Sequence, residues 1–323
     1  MTTPNSTPLR RLAASTLVAL GCVVSLSGHV EAAAYRDELT FLGRTTFLLR
    51  EYSLVVPLDL KRQAVQAGAV LEIKAWGAWN GRWVPYVYEP ITVPGAGPED
   101  VNEIMARYRR MKPDAGLDVR KASDNAFFLR SDKGRSHFQL QTPGYTPRLT
   151  ADNPEGRIGL GLSDGILTVN GQSVPGRVIS VHVKPMPHSD ASGRYGLYDH
   201  FTLQLSSGAV LVIYHSRTHP GFNLAALLSP DGTADRQDRT VMVAWRKPSP
   251  DAESGRDVPT AWSVEIPALA LKAEMEEWGR NLVRYKTDAG KTAVVSNAMV
   301  RGTVEVGGSR IDAFGLNVHV QDE

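Results

Sequence analysis

Short runs of alternating apolar and polar residues, separated by turn-forming pairs, restrict the fold of this chain more than any other feature. Asn80-Gly81 stands between LEIKAWGAW and RWVPYVYEP, Asp164-Gly165 between GRIGLGL and ILTVNG, and Gly307-Gly308 between GTVEV and RIDAFGLNVHV. Alternation with a period of two is typical of strands with one buried face, and Asn-Gly between two such runs favours a two-residue hairpin. From about Phe41 onward the sequence therefore predicts an all-β protein.

One segment departs from this pattern. Between Pro98 and Met111 the apolar residues recur at helical spacing, with acidic residues at the start and arginines at the end that match the helix dipole. The segment predicts a single short helix packed on a β framework. A second apolar stretch, IPALALKAEMEEW, alternates with a period of two and predicts a strand.

The first 34 residues have the composition of a secretory leader. Arg10 and Arg11 precede the apolar run Leu12–Leu26, and small residues lead up to Ala34. This order predicts a signal peptide that is cleaved near Ala34, and hence a periplasmic or secreted protein. No later run is long enough to predict a membrane span. The alternative is a lipoprotein that begins at a lipidated Cys22.

Composition and motifs argue against several kinds of site. Cys22 is the only cysteine and lies in the leader, so we expect neither a disulfide nor a cysteine-bound metal in the mature chain. A net charge of +2 on 323 residues gives no footprint for nucleic acid. The histidines lack metal-binding spacing, and the sequence has neither a nucleophile elbow nor a phosphate-binding loop, so we predict no metal and no cofactor.

The segment GRYGLYDHFTLQLSSGAVLVIYHSR, residues 193–217, predicts a β-hairpin with an Asp-His pair in its first strand. Alternation places Asp199 on the apolar face, where a carboxylate must be paired, hydrogen-bonded or neutral. A three-residue loop, Ser206–Gly208, sets Asp199 opposite His215, whereas a two-residue loop sets it opposite Ser216. We favour the first register because it keeps apolar residues opposite one another.

An inward couple of Asp199 and His215, within hydrogen-bond reach of each other, admits two interpretations. In the first, Asp199 is a proton donor or acceptor in an apolar cavity and His215 tunes it. In the second, the two residues form a structural ion pair at one end of a barrel. The sequence leaves both interpretations open.

A second candidate site is an aromatic hairpin of thirteen residues, which contains Trp76, Trp79, Trp83, Tyr86 and Tyr88. Such a band suits stacking on a sugar or lining a pocket, and it equally suits packing within a sheet.

Two domains are predicted after the leader of residues 1–34. The segment Thr142–Arg157 is rich in Pro and Gly, which is typical of a linker. We therefore divide the chain into residues 35–150 and 151–323. The sequence shows no internal repeat that a residue count supports.

The second half, from about Gly156, resembles the lipocalin-like family of carotenoid 1,2-hydratases and AttH-type secreted proteins. Members typically show an aromatic-Asp-aromatic-Phe-x-Leu-Gln-Leu strand, a glycine-containing turn, and a strand that ends in Tyr and Arg. The matching residues are Tyr198, Asp199, Phe201, Leu203, Gln204, Leu205, Gly208, Tyr214 and Arg217. Members with hydratase-like activity carry a Trp-x-Asp-His-x-Trp element before this hairpin, and Ser180–Pro185 stands there instead.

The resemblance implies two consecutive lipocalin-like β-barrels or open β-sandwiches with an apolar cavity. It implies a hydrophobic small-molecule ligand, such as an isoprenoid, lipid or polyketide, with cofactor-free hydratase, lyase or isomerase chemistry as a further hypothesis. Besides Asp199 and His215 as catalytic residues, the expected ligand contacts are Tyr198, Trp76, Trp83, Phe201, Tyr214, Arg217 and His182. The alternatives are a non-catalytic carrier or envelope-interaction protein, and a carbohydrate-binding β-sandwich. The oligomeric state does not follow from the sequence.

Overall fold

Antiparallel strands make up most of the chain in the structure, which is a computed structural model. It describes residues 34–322 except 48–49, 123–125, 133–136, 144–146, 155, 187–195 and 288–289. The predicted signal peptide and Cys22 lie outside the described residues. Within the described part, the strands and one α-helix confirm the predicted all-β class. No helix there is long and apolar enough to cross a membrane.

The first sheet contains ten strands and the helix precedes its fifth strand. The strand order across the sheet is β4-β3-β2-β1-β10-β9-β7-β6-β5, and β8 pairs with β9. The elements are β1 (Tyr35–Phe47), β2 (Arg50–Val65), β3 (Gly68–Trp79), β4 (Arg82–Pro94), α1 (Val101–Met111), β5 (Leu117–Lys121), β6 (Phe127–Ser131), β7 (Phe138–Thr142), β8 (Leu149–Asn153), β9 (Gly156–Val169) and β10 (Gln172–Lys184).

The second sheet contains nine strands in the order β14-β13-β12-β11-β19-β18-β17-β16-β15. Its strands are β11 (Leu197–Leu205), β12 (Val210–Ser216), β13 (Leu224–Leu228), β14 (Arg236–Asp238), β15 (Met242–Asp251), β16 (Arg256–Ile266), β17 (Leu271–Lys286), β18 (Thr292–Val306) and β19 (Ser309–Gln321). Short 3₁₀ segments at Pro220–Phe222 and Pro267–Leu269 precede β13 and β17.

The division between the two sheets differs from the division expected at residues 150 and 151. Both β9 and β10 pair within the first sheet, which ends at Lys184, and the second sheet begins at Leu197. The Pro- and Gly-rich segment 142–157 therefore connects strands of the first sheet. Its composition signals turns, and turns occur within a sheet as well as between domains.

Local turn chemistry explains most of the hairpins. Asn80 and Gly81 both have positive φ, at 45° and 79°, as a type I′ turn requires, and Gly307-Gly308 connects β18 to β19 as predicted. The turn predicted at Asp164-Gly165 is wrong, because β9 runs through both residues. The turn lies instead at Asn170-Gly171, where φ is 48° and 82°.

The predicted helix is confirmed, and the strand predicted in IPALALKAEMEEW is confirmed from Leu271 onward, because Pro267–Leu269 forms a 3₁₀ segment instead. The Asp100 side chain caps α1 by accepting hydrogen bonds from the backbone N–H groups of Asn102 and Glu103. Four of the five apolar residues on the predicted face are buried, whereas Met111 is exposed. In β17, Leu271, Ala273 and Met275 alternate inward.

Each sheet curls around its own apolar core, and a third core lies between the two sheets. The inner faces of β1 and β2 supply residues such as Leu39 and Leu58 to the first core. The inner faces of β11 and β12 supply Phe201 and Ile213 to the second. The outer face of β12 supplies Val212 to the third core. Because successive side chains of a strand point to opposite faces, β12 contributes residues to the second core and to the third core.

Polar side chains lie buried where β1 crosses β11 in the inter-sheet core. Tyr214 donates a hydrogen bond to Glu38, with 3.3 Å between the oxygens, and its ring stacks on His200 with a centroid separation of 4.2 Å. Burial, with a smaller contribution from Arg36, lowers the pKa of His200 to about 3. His200 is therefore neutral in the folded protein at neutral pH.

We predict that His200 makes the fold sensitive to acid. The unfolded chain takes up a proton near pH 6.5 and the folded chain does not until about pH 3. Stability present above pH 6.5 is therefore lost as the pH falls, by up to about 1.4 kcal/mol per pH unit from this group. Urea unfolding between pH 7 and pH 4 should show a flatter pH dependence for His200→Gln than for the wild type. The exposed His219→Gln variant should follow the wild type, and parallel curves for His200→Gln and wild type would contradict the prediction.

Candidate functional site

The carboxylate of Asp199, on β11, is buried inside the second sheet, where side chains from three other strands meet it. The residue is 1 % exposed. It accepts hydrogen bonds from Trp245 Nε1 at 2.8 Å, Trp262 Nε1 at 3.2 Å, Asn317 Nδ2 at 3.4 Å and His319 Nδ1 at 3.0 Å. The donors lie on β15, β16 and β19. The sequence analysis required a carboxylate on this apolar face to be paired, hydrogen-bonded or neutral, and Asp199 is hydrogen-bonded to several donors.

These contacts keep Asp199 ionised. Burial by itself raises the pKa of the carboxyl group. The hydrogen bonds from His319, Trp245 and Asn317 outweigh burial and hold the pKa of Asp199 below its ordinary value. The group is therefore a negative charge at neutral pH and not a proton donor.

A further hydrogen bond fixes the tautomer of His319. The Nε2 atom of Gln321 lies 2.8 Å from His319 Nε2 and 2.8 Å from the backbone oxygen of Asp257. Because an amide nitrogen only donates, His319 Nε2 must accept, and the ring proton therefore sits on Nδ1 and points at Asp199. The result is a chain of hydrogen bonds from Asp257 through Gln321 and His319 to Asp199.

His215 lies directly opposite Asp199 in the ladder between β11 and β12, which confirms the favoured register. The predicted hydrogen bond between the two side chains is absent, because Trp and Asn donors and His319 occupy the carboxylate. The Nδ1 atom of His215 is buried without a hydrogen-bond partner among the described residues. Burial, with help from Arg217, lowers the pKa of His215 against the opposing effect of Asp199.

Two residues after His215, Arg217 is an exposed residue directly beyond the end of β12. Its guanidinium lies 3.9 Å from the centroid of the Trp245 ring, and Nη2 is 3.5 Å from the backbone oxygen of Val243. The inner face thus changes from the apolar core at Ile213, through a buried imidazole, to an exposed cation.

Phe201 lies beside Asp199, whereas Tyr198 and Tyr214 lie on the other face of the sheet. Phe201 is fully buried in the second core and meets Trp262 edge-on, with 5.7 Å between ring centroids. Tyr198 and Tyr214 belong to the inter-sheet core, because neighbours in a strand point to opposite faces. Their predicted contact with a ligand stays a prediction, and the structure does not bring them to the Asp199 carboxylate.

The aromatic hairpin contacts the rest of the chain instead of forming a free band. Trp79 donates a hydrogen bond to the Tyr86 hydroxyl at 2.6 Å and packs on the first core. Trp83 packs on the inter-sheet core and donates to the backbone oxygen of Gly279 at 3.2 Å. Trp76 is half-buried opposite Pro85 at a β-bulge. The structure does not bring Trp76 or Trp83 to Asp199.

His182 belongs to the interior of the first sheet and not to the Asp199 site. Its Nδ1 atom lies 2.6 Å from Asp37, which also forms an ion pair with Arg62 at 2.5 Å. Burial raises the pKa of Asp37, but the hydrogen bond from His182 and the charges of Arg62 and His182 outweigh burial and lower it overall. Asp37 and Arg62 are both 6 % exposed.

The four side chains that donate hydrogen bonds to Asp199 were not predicted from the sequence; they are Trp245, Trp262, Asn317 and His319. The last two lie in NVHVQ, where alternation sets polar residues on one face of a strand whose other face is apolar. Three polar residues on the inner face of a terminal strand, Asn317, His319 and Gln321, were the available signal. Nothing local to the two tryptophans indicated their partner.

A large groove lies away from Asp199. A groove of about 1160 Å³ runs between the β1–β2 end of the first sheet and the outer side of β17 to β19, and its walls include Tyr52, Trp278, Arg301, Arg310 and Phe314. Asp199 and His215 are not among its lining residues. No group of three or more His, Cys, Asp or Glu that could hold a metal occurs within the described residues.

We predict that Asp199→Asn destabilises the fold. Both carboxylate oxygens accept N–H donors, so either orientation of the amide turns an NH₂ group toward an indole N–H. Leaving buried donors unpaired costs about 1–3 kcal/mol each. Urea unfolding should show this loss for Asp199→Asn and almost none for Asp257→Asn, whose side chain is exposed. Equal stability of the two variants would show that the network does not hold the sheet together.

No family model matches this chain, and no curated protein sequence matches it. Fourteen chains of solved structures do, and three of these structures are described below. An AttH-type protein from Nitrosomonas europaea aligns with a TM-score of 0.56 and 13 % identity over 93 % of this chain and 96 % of its own. Kievitone hydratase from Nectria haematococca aligns with a TM-score of 0.59 and 12 % identity over 94 % and 95 %.

The third structure is CghA with Sch210972. It aligns with a TM-score of 0.51 and 14 % identity over 90 % of this chain and 88 % of its own. Likeness at these identities carries fold and leaves activity to the residues of the site. The alignments nevertheless cover 90 % or more of this chain, and therefore span both sheets. The chain therefore has the two-barrel lipocalin-like fold, as its resemblance to the hydratase and AttH proteins implied.

Proposed function

We propose that this protein binds a largely apolar small molecule beside Asp199 and adds or removes water by cofactor-free acid–base chemistry. The observation that carries the proposal is the arrangement of an ionised, fully buried carboxylate next to a neutral histidine that has an unused ring nitrogen. Perturbed titratable groups in such surroundings are frequent at catalytic sites.

Two buried polar atoms next to the carboxylate support a ligand with a hydroxyl group. His215 Nδ1 and Asn317 Oδ1 lack hydrogen-bond partners among the described residues. Buried polar groups in folded proteins are nearly always paired. A hydroxyl group both donates and accepts, so it satisfies an amide oxygen and an imidazole nitrogen together. The apolar residues around them, such as Phe201, suit a hydrophobic ligand body.

The geometry exchanges the roles that the sequence suggested for Asp199 and His215. Asp199 has a lowered pKa and its lone pairs are occupied by four donors, so it is a weak base. His215 is neutral and has a free nitrogen, so it is the proton carrier. In the elimination direction His215 takes a proton from the carbon next to the hydroxyl-bearing carbon. The hydroxide then leaves with that proton as water, and the charge of Asp199 stabilises the transient imidazolium.

One of the structurally similar proteins is named as an enzyme of this reaction class. Kievitone hydratase is a hydratase by name and shares the fold over nearly the full length of both chains. The carrier alternative keeps the same ligand site without turnover. The carbohydrate alternative loses its basis, because Trp79 and Trp83 are engaged in contacts within the chain.

We predict that His215→Gln abolishes proton transfer while the ligand still binds. General acid–base groups contribute roughly 10²- to 10⁴-fold to rate. Hydroxylated isoprenoids and polyketides incubated with the wild type in D₂O should gain deuterium at the carbon next to the hydroxyl group, as NMR would show. Because the pKa of His215 is lowered, the rate should stay constant through the ordinary histidine range and fall only at lower pH.

The matched control is His219→Gln, which alters an exposed histidine in the adjacent turn. It should leave the deuterium exchange rate unchanged. Ligand that binds to the wild type without exchange would support the carrier alternative. Undiminished exchange in His215→Gln would refute the catalytic assignment.

We also propose that the protein is exported. The support is the leader-like sequence of residues 1–34 and the position of β1, which begins at Tyr35, next to the predicted cleavage point. Intact mass spectrometry of the mature protein should give a chain that begins near Tyr35 and contains no thiol. A lipidated Cys22 as first residue would establish the lipoprotein alternative instead.

A further inference from the structure

The two sheets repeat the same strand plan. In the first sheet β1 lies between β2 and β10, and in the second β11 lies between β12 and β19. Each central strand starts its sheet along the chain and pairs with the last strand of that sheet. The two halves can therefore be compared residue by residue from the ladder registers.

An Asp-His pair occupies the same place in each half. Asp37 is opposite His182, and Asp199 is opposite His319. In both pairs the histidine Nδ1 atom faces the carboxylate, at 2.6 Å and 3.0 Å. The strands around them agree in pattern, with D-E-L-T-F and D-H-F-T-L on the central strands and V-H-V on the last strands.

An arginine also repeats. Arg62 is opposite Tyr35, two residues before Asp37. Arg217 donates its backbone N–H to Leu197, two residues before Asp199. The two arginines thus occupy equivalent positions on β2 and at the end of β12. Each guanidinium also lies over an aromatic ring, which is Tyr35 in the first half and Trp245 in the second.

The two arginines differ in what they bind. Arg62 is buried and pairs with the carboxylate of Asp37. In the second half, Trp245 and Trp262 donate to Asp199 in place of an arginine. Arg217 is exposed and has no carboxylate within ion-pair distance among the described residues. Arg62 therefore binds an internal carboxylate in the first half, whereas the equivalent Arg217 in the second half binds none among the described residues.

We propose that the ligand of the second half is an amphipathic organic acid whose carboxylate pairs with Arg217. The inference rests on the proposed function, since it names the substrate class of that site. Ile213 and His215 follow one another on the inner face of β12, and Arg217 comes directly after the last residue of that strand. An acid bound at the exposed cation would therefore extend its apolar body past the imidazole toward the second core. The planar fork of a guanidinium suits a carboxylate, and its stack on Trp245 holds the fork in place.

The test compares decanoate with 1-decanol, which have equal chain lengths and differ in the head group. Titrations followed by tryptophan fluorescence should show decanoate binding about tenfold more tightly to the wild type, as expected for a charge-assisted hydrogen-bonded pair. Arg217→Gln should remove this preference and leave 1-decanol binding unchanged. His215→Gln should retain the preference, because that residue acts in proton transfer.

Arg310→Gln is the matched control, because Arg310 is an exposed arginine on the wall of the large groove. It should keep the preference for decanoate. Loss of the preference in Arg310→Gln but not in Arg217→Gln would place the acid in the groove and overturn the proposal. Equal binding of decanoate and 1-decanol to the wild type would overturn it while leaving the proposed function intact. Binding of neither probe would count against both.

Discussion

The second half of the molecule depends on how one buried carboxylate is satisfied. An isolated charge on the inner face of a curled sheet is too costly to bury. Asp199 is tolerated because β15, β16 and β19 each bring a donor to it. These strands curl until the tryptophans on β15 and β16 reach the residue on β11, although β11 does not pair with either strand. The hydrogen bonds to Asp199 thereby connect β11 to β15 and β16, which lie further along the same sheet.

The repeated Asp-His pair shows how one architecture supports two outcomes. In the first half Arg62 neutralises Asp37, and the position facing Asp37 on β2 is Leu60. In the second half neutral indole groups hold Asp199, so its negative charge is not cancelled by an internal arginine, and His215 stands at the facing position. The two aspartates thus occupy equivalent places, one in a structural ion pair and the other facing a candidate catalytic histidine. The difference lies in a few side chains and not in the backbone.

Gly165 and the internal repeat were misjudged for the same reason, which is that a short sequence pattern does not show which strands lie next to it. Gly165 was interpreted as a turn residue, yet it lies within β9, where an added Cβ would come within 2.4 Å of Val178. The glycine permits close packing between strands and does not mark a turn. The internal repeat was missed because only Asp, His, Thr and Arg at a few positions are shared. Short motifs of this kind become visible only when the strand registers align them.

The sequence by itself determined the all-β class, the helix at α1, the tight turns at Asn80-Gly81 and Gly307-Gly308, and the face of the strand on which Asp199 lies. Each of these depends on residues a few positions apart, through strand alternation and the φ preferences of turn residues. Tertiary structure alone decided which groups meet that carboxylate. Asp199 and His319 are 120 residues apart, and strand order and sheet curvature bring them together. No periodicity in a chain records such distant contacts, because they arise from how whole strands pack.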